Sequence, residues 1–525
     1  MKRAGILALL AALCPLTLFA QTPSIIVTGG KIFTNDPAKP FVEALAIRGD
    51  RIIATGTDEQ ILASIVGTQN VRRIKLDKHV VVPGINDAHT HPGLGPVGLV
   101  LGTGAASTFA QVSAALSAAV DESAPDIWLI GEVGGAVMLD ESVTRATLDQ
   151  LAPNRKVLLR SFTGHGTILS SRALQELGIE NNVTDPLGGR FGRNPDGTLN
   201  GRAFEYAEYP LIRKIGELTQ LQGDLTVALS SFSNEALRFG ITSIQAMPFE
   251  EEKAFRQAWD ATDSPIRLRH IFIPLVVPPP LPRPGPPPRG TNGLKWILDG
   301  TPIEKGAAVR TPYPDGGGTG RQNFTTITRL LRRGPETNQQ LLLHAVGDAM
   351  IATVFKEMAN ISGINWPAER PRIEHADGLL PDLDPQARTL GVVAVLNPSH
   401  FFARTLFPPG GFSRAKSLLA ANIPIAIGSD GPLNPWLNIM LAVHRRDNPT
   451  EALTREEAIA AYTLGSAFAE KQPDKGMLAP GKLADLVVLS QDVFTVPVTA
   501  LPDTRSFLTM IGGKIVLEEW PPELP

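Results

Sequence analysis

QLLLHAVGD, residues Gln340 to Asp348, is a short apolar run broken by one polar side chain, His344. Three later stretches share its shape. RIEHAD contains His375, VVAVLNPSH ends at His400 and IPIAIGSD ends at Asp430. The four polar residues stand 31, 25 and 30 residues apart. One strand, one helix and a return loop need about that length. Strands apolar on both faces at that period imply a parallel sheet covered by helices.

Working upstream, LKWILDG carries Lys295 and reaches Asp299, and HVVVPGI leads to Asp87 and His89. ITSIQAM, 241 to 247, and IRLRHIFI, 266 to 273, bring the strands to eight. A (β/α)8 TIM-type barrel fits best, and such barrels gather their functional groups at the C-terminal ends of the strands. IWLIGEV, 127 to 133, and KVLLRSF, 156 to 162, also read as strands. They are assigned to an insertion at about 95–232, with the alternative that KVLLRSF is itself a barrel strand.

Both ends of the chain alternate around glycine turns instead. IIVTGGKIFT and ALAIRGDRIIATG begin it, and ADLVVL and SFLTMIGGKIVLEEW close it. The expectation is that residues 21–83 and 476–525 build one small β-sandwich domain, with the barrel over 84–475.

Composition narrows the function. Hydrophobic residues at 43% and charged residues at 19% describe an ordinary globular chain with a sizeable core. The net charge of −3 gives no reason to expect nucleic acid or an anionic membrane as partner. Lys2, Arg3, the apolar run 4–20 and the small Ala20 read as a secretory signal peptide over 1–20. The mature protein is then expected to be periplasmic or secreted, free of the membrane after cleavage. The single cysteine, Cys14, lies inside that segment. Its removal excludes disulfides, thiolate metal sites and cysteine nucleophiles. VVPPPLPRPGPPPRG, 276 to 290, reads as a stiff surface connection. DGGGTG, 315 to 320, lacks the lysine of a phosphate loop and reads as a mobile loop over the site.

VVPGINDAHTHPG, Val81 to Gly93, holds His89 and His91. Residues two apart on an extended segment face one side, so both imidazoles can reach one ion. Core histidines are the plainer alternative. His344, His375 and Asp430 stand at strand ends that a barrel brings together, and imidazole nitrogens with a carboxylate suit zinc or a similar divalent ion. A helix N-cap is the alternative for Asp430, and an ion pair with Asp299 is the alternative for Lys295. His79, His270 and His444 are read as scaffold.

Taken in order, ALAIRGDRIIATG, VVPGINDAHTHPG, LKWILDG, LLLHAVGDA, RIEHAD, IAIGSDGPL, LTREEAIAAYTLGSA and KGMLAPGKLADLVVL resemble the metal-dependent amidohydrolases. The subgroup is that of the YtcJ-like proteins and N-substituted formamide deformylases, and the resemblance covers nearly the whole mature chain. It implies a first metal held by His89, His91 and Asp430, and a second held by His344 and His375. Lys295 would bridge them after carboxylation. One or two divalent ions, zinc foremost, are implied. Asp430 would also move protons, and His400 would contact substrate or developing charge. His165, in SFTGHGTILSSRAL, and Glu205, in GRAFEYA, match positions near the family's substrate pocket, although the tryptophan that usually follows the histidine is missing. The implied reaction is hydrolysis of a C–N bond in a small amide-like molecule, an N-acyl compound, formamide or cyclic amide. Deamination of an amino-heterocycle, ester or lactone hydrolysis, and a non-catalytic periplasmic binding protein are the competing readings. The expected partner is a small-molecule substrate, with homo-oligomerisation left open.

Overall fold

Eight short strands rich in Val, Ile and Leu pair in parallel, each with the next in chain order. They are β1 Ile85–Thr90, β2 Ile241–Ala246, β3 Arg267–Phe272 and β4 Thr291–Ile297, then β5 Gln340–Ala345, β6 Arg372–His375, β7 Val393–Leu396 and β8 Ile425–Ile427. The computed structural model describes residues 23–63, 70–221, 223–275 and 291–521. Residues 1–20, expected as a signal peptide and containing Cys14, and the proline-rich stretch 276–290 lie outside the described residues.

β8 swings back to β1 and nearly closes the barrel. The Asp430 N–H donates to His89 O at 2.9 Å, and the Ser429 N–H donates to Asp87 Oδ1 at 2.9 Å. This approach depends on Gly428, where a Cβ would lie 2.3 Å from the His89 nitrogen. The register sets the height of the later side chains. His344 stands opposite Ile297 and Glu374, and Ala345 opposite His375. Leu341, Leu342 and Leu343 are buried, each contributing about 1.5–3 kcal/mol by leaving water. The TIM-type barrel expected from the sequence is therefore the fold.

One element sits elsewhere than expected. HVVVPGI is not the first barrel strand: Val80–Pro83 pairs with Lys31–Phe33 and Leu486–Leu489 in a terminal sheet, and only after Gly84 does β1 begin. A continuous apolar run cannot reveal on its own that two strands share it. The terminal strands form a four-stranded and a six-stranded sheet. Val27, Leu45, Ile47, Val81, Leu486 and Val488 pack in one core.

Between β1 and β2 the chain builds a separate six-stranded sheet from Leu99–Val100, Trp128–Val133, Lys156–Ser161, Thr167–Leu169, Gly189–Arg193 and Leu199–Glu205. Its own cores include Leu116, Leu129 and Leu159 on one side and Leu158, Leu169 and Ile215 on another. KVLLRSF pairs with Trp128–Val133 there, so the reading of it as a barrel strand is wrong. Among the described residues no helix is long and apolar enough to cross a membrane.

Candidate metal centre

His89, one residue before the end of β1, is fully buried, and His91 follows one residue past that strand. Each ring is tied by its Nδ1. His89 Nδ1–H donates to Glu374 Oε2 at 2.7 Å, and His91 Nδ1–H donates to Met247 O at 2.5 Å. Those bonds leave both Nε2 atoms as lone-pair acceptors, and they face one another at 3.3 Å. Two lone pairs at that distance repel unless a cation or donor lies between them. Lys295 Nζ, on β4, reaches them at 2.9 and 3.3 Å. The His91 ring also stacks on Phe249, centroids 5.2 Å apart.

Asp430 stands three residues beyond β8. Its carboxylate lies 3.7 Å from His89 Nε2, 3.5 Å from His91 Nε2 and 3.7 Å from His375 Nδ1. Ligand atoms of His89, His375 and Asp430 fall within 4.8 Å of one another. The His344 and His375 rings are 4.4 Å apart, and His165 lies 4.6 Å from His344 on the other side. The Nε2 atoms of His344 and His375 are buried without a hydrogen-bond partner among the described residues. Buried imidazole nitrogens are rarely left so. Neutral nitrogens, lone pairs facing each other and one carboxylate are a donor set that a divalent cation fits.

Burial holds His91, His344 and His375 well below the usual imidazole range, which keeps them neutral, as ligands must be. Burial pushes the Asp430 carboxyl up, but the imidazoles of His89, His400, His91 and His375 outweigh it and hold it well below its usual value. Burial lowers the Lys295 amine to about 8, against the attraction of Asp430 and Glu374. Two ligand-bearing positions have strained backbones: His375 has φ 73° and Asp430 φ 37°. Such conformations persist where surrounding structure fixes them, and they cluster at functional sites.

A model of the amidohydrolase family matches residues 74–517. The chain belongs to the amidohydrolase family. It is 28% identical to YtcJ of Bacillus subtilis (strain 168), over 94% of this chain and 99% of that one. It is 23% identical to the N-substituted formamide deformylase of Arthrobacter pascens, over 95% and 99%. Among solved structures, an uncharacterised metal-dependent hydrolase from Pyrococcus furiosus superposes with TM-score 0.64 at 21% identity, covering 90% of this chain and all of the other. Atrazine chlorohydrolase TrzN from Arthrobacter aurescens TC1, complexed with zinc, gives TM-score 0.52 at 15% identity, over 95% and 97%.

In this amidohydrolase two residues and one loop make contacts that the sequence did not foresee. His400 follows β7 and donates from Nε2 to the Asp430 carbonyl oxygen at 2.7 Å, with Nδ1 4.0 Å from the Asp430 carboxylate. It braces Asp430 and is not among the residues lining the cavity of about 350 Å³ at the metal centre. Asp299 does not pair with Lys295; it accepts the Ala308, Val346 and Gly347 N–H groups at 2.9–3.0 Å. The 315–320 loop lies beside a second, smaller cavity rather than on that one.

His165 and Glu205 come from the inserted sheet to the barrel mouth. His165 Nδ1 lies 3.1 Å from both Glu205 oxygens, and Tyr209 Oη donates to Glu205 at 2.7 Å. Burial would lower the His165 pKa, but the Glu205 charge and hydrogen bond carry it up to about 9. Sequence reasoning missed Glu374 and Arg372. Arg372 grips Glu374 at 2.7 and 2.9 Å and donates to Ala88 O at 2.7 Å, so His89 is oriented through a buried chain of charge-assisted bonds. Their only signal was the pair of opposite charges two residues apart in RIEH, a strand with a single apolar residue. His79 packs on Phe507, His270 stacks on Phe255 and His444 accepts from Arg446, all away from the centre.

Proposed function

We propose that this chain hydrolyses a C–N bond of a small amide-like molecule, an N-acyl compound, formamide or cyclic amide. The observation that carries the reading is the convergence of His89, His375 and Asp430 with the unpartnered nitrogens of His344 and His375. His89, His91 and Asp430 would hold one divalent cation, zinc foremost. His344 and His375 would hold a second, with Lys295 between the two pairs as a carboxylated bridge. A cation bound there makes water acidic, from about 15.7 toward about 7, and polarises a carbonyl or imine.

The chain supplies the proton chemistry. Asp430, braced by His400, takes the proton of the attacking water and returns it to the leaving nitrogen. The cavity at the metal centre, which reaches from His91 and Asp430 to Phe249, Tyr209 and Arg160, takes the substrate.

The test is metal content and turnover on a panel of formamides, N-acyl amino acids and cyclic amides. His89→Ala is expected to lose bound metal and all turnover. Equal metal and equal turnover in that variant would remove the proposal. Release of ammonia with no second organic product would assign deamination in its place. Lys295→Ala is expected to lose one metal equivalent. Unchanged stoichiometry would rule out the bridge and leave the single-cation form.

A further inference from the structure

Beside the metal centre lies a second cavity of about 210 Å³, and His165 is the wall common to both. Its remaining lining includes Arg190, Glu205, Glu304, Lys305, Arg321 and Asn323. The acidic members are already saturated with donors. Glu205 accepts from Tyr209, Asn323 and His165, and Glu304 accepts from the hydroxyls of Ser161, Thr163 and Thr301. Lys305 is paired with Asp315 at 2.9 Å.

The two guanidinium groups are different. Among the described residues neither Arg190 nor Arg321 has a side-chain hydrogen bond or ion pair. Arg190 leans on the Phe204 ring at 3.9 Å, a contact that leaves its in-plane N–H donors free. Burial and the like charge of Arg321 disfavour the Arg190 cation, and the nearby charges of Glu205 and Asp185 offset them only in part. The loop before Arg321 is fitted tightly to the opposite wall. A Cβ at Gly317 would meet Lys305 Cδ at 2.1 Å, and one at Gly320 would meet Ala307 O at 1.9 Å. Those glycines let the loop close down on residues 305–307 and bring Arg321 to the cavity.

We propose that Arg190 and Arg321 form a carboxylate-binding subsite, so that the preferred substrates are N-acyl amino acids or cyclic amides bearing a carboxylate. The proposal rests on the hydrolase reading for the reacting bond, and on the cavity alone for the carboxylate. A planar carboxylate matches the guanidinium fork. A monoanion is favoured over a phosphate dianion because Glu205 and Glu304 already place negative charge in the wall. His165, its ring 4.6 Å from that of His344, is the wall between this subsite and the cavity at the metal centre.

The experiment separates binding from turnover. Metal-loaded full-length protein is titrated with benzoate, 3-phenylpropanoate and octanoate, with the matching alcohols and with inorganic phosphate; none has a C–N bond to cleave. At least one carboxylate is expected to bind tenfold or more tightly than its alcohol. Arg190→Gln and Arg321→Gln should each remove most of that preference, with alcohol binding and melting temperature unchanged. The subsite is overturned if no carboxylate outbinds its alcohol, if the preference survives both substitutions, or if phosphate outbinds every carboxylate. Arginine-dependent carboxylate binding without hydrolysis of any C–N substrate would keep the subsite and refute the hydrolase. Hydrolysis without carboxylate preference would do the reverse.

Discussion

The two cavities that meet at His165 are lined by opposite chemistry. At the barrel mouth imidazole nitrogens and a carboxylate gather: Nε2 of His89 and His91, met by Lys295, the unpartnered Nε2 of His344 and His375, and Asp430. In the neighbouring chamber the groups without a protein partner are donors, the half-buried Arg190 fork and the exposed Arg321 fork at its rim. Both regions hold acids and bases in plenty, so net charge does not distinguish them. What distinguishes them is which atoms the fold leaves unsatisfied. A cation answers the first set and an anion the second.

That contrast can be broken most severely at the mouth. Asp430→Asn keeps the shape and removes the base, and is expected to lower kcat/KM by about 10²–10⁴-fold. Steady-state assays on the metal-loaded variant measure it, and an unchanged rate would mean that another group moves the proton. Glu374→Gln acts one bond further out, on the orientation of His89. The expected loss is about 10–100-fold in metal affinity or activity, read by competition with a chelator.

The shared wall responds more mildly. Glu205→Ala strands the Tyr209 hydroxyl and the His165 Nδ1–H, and should cost about 1–3 kcal/mol in denaturant unfolding. No loss of stability would show that the wall relaxes around the gap. The smallest effect is expected at a histidine that belongs to neither cavity. Burial and the charge of Arg256 lower His270 to about 3. Its neutral form is kept in the fold while the unfolded chain takes up a proton below about 6.5. Its contribution is therefore complete above that pH and is lost as pH falls toward about 3. His270→Phe should flatten the decline between pH 6.5 and 5 by about 1–2 kcal/mol. Parallel pH–stability curves for both proteins would exclude this origin of the acid sensitivity.

The eight barrel strands were legible because fully buried parallel strands write themselves as apolar runs at a steady spacing. His89, His344, His375 and Asp430 were legible for the same reason, each breaking such a run near its end. The domain boundary at 83/84 was placed, but not the division of HVVVPGI between two strands there, since sandwich and barrel are equally apolar and periodicity is blind to which sheet a strand joins. Glu374 and Arg372 escaped because their partners, His89 and Ala88, lie almost 300 positions away and their meeting depends on barrel closure. Arg190 comes from the insertion and Arg321 from the loop between β4 and β5, so their meeting depends on that loop folding back on residues 305–307. No local pattern encodes that. The position of His400 was legible, but its bracing role came from one hydrogen bond that only coordinates reveal.

Strand Val80–Pro83 lies in the middle of its sheet, between partners drawn from opposite ends of the chain. During synthesis the ribosome delivers this strand and Lys31–Phe33 early, but Leu486–Leu489 emerges only after every barrel strand has been made. Until then one flank of the nascent sheet offers bare amide and carbonyl groups to any neighbour. A message truncated shortly before codon 486 would therefore yield a product with a full set of barrel strands and an adhesive edge.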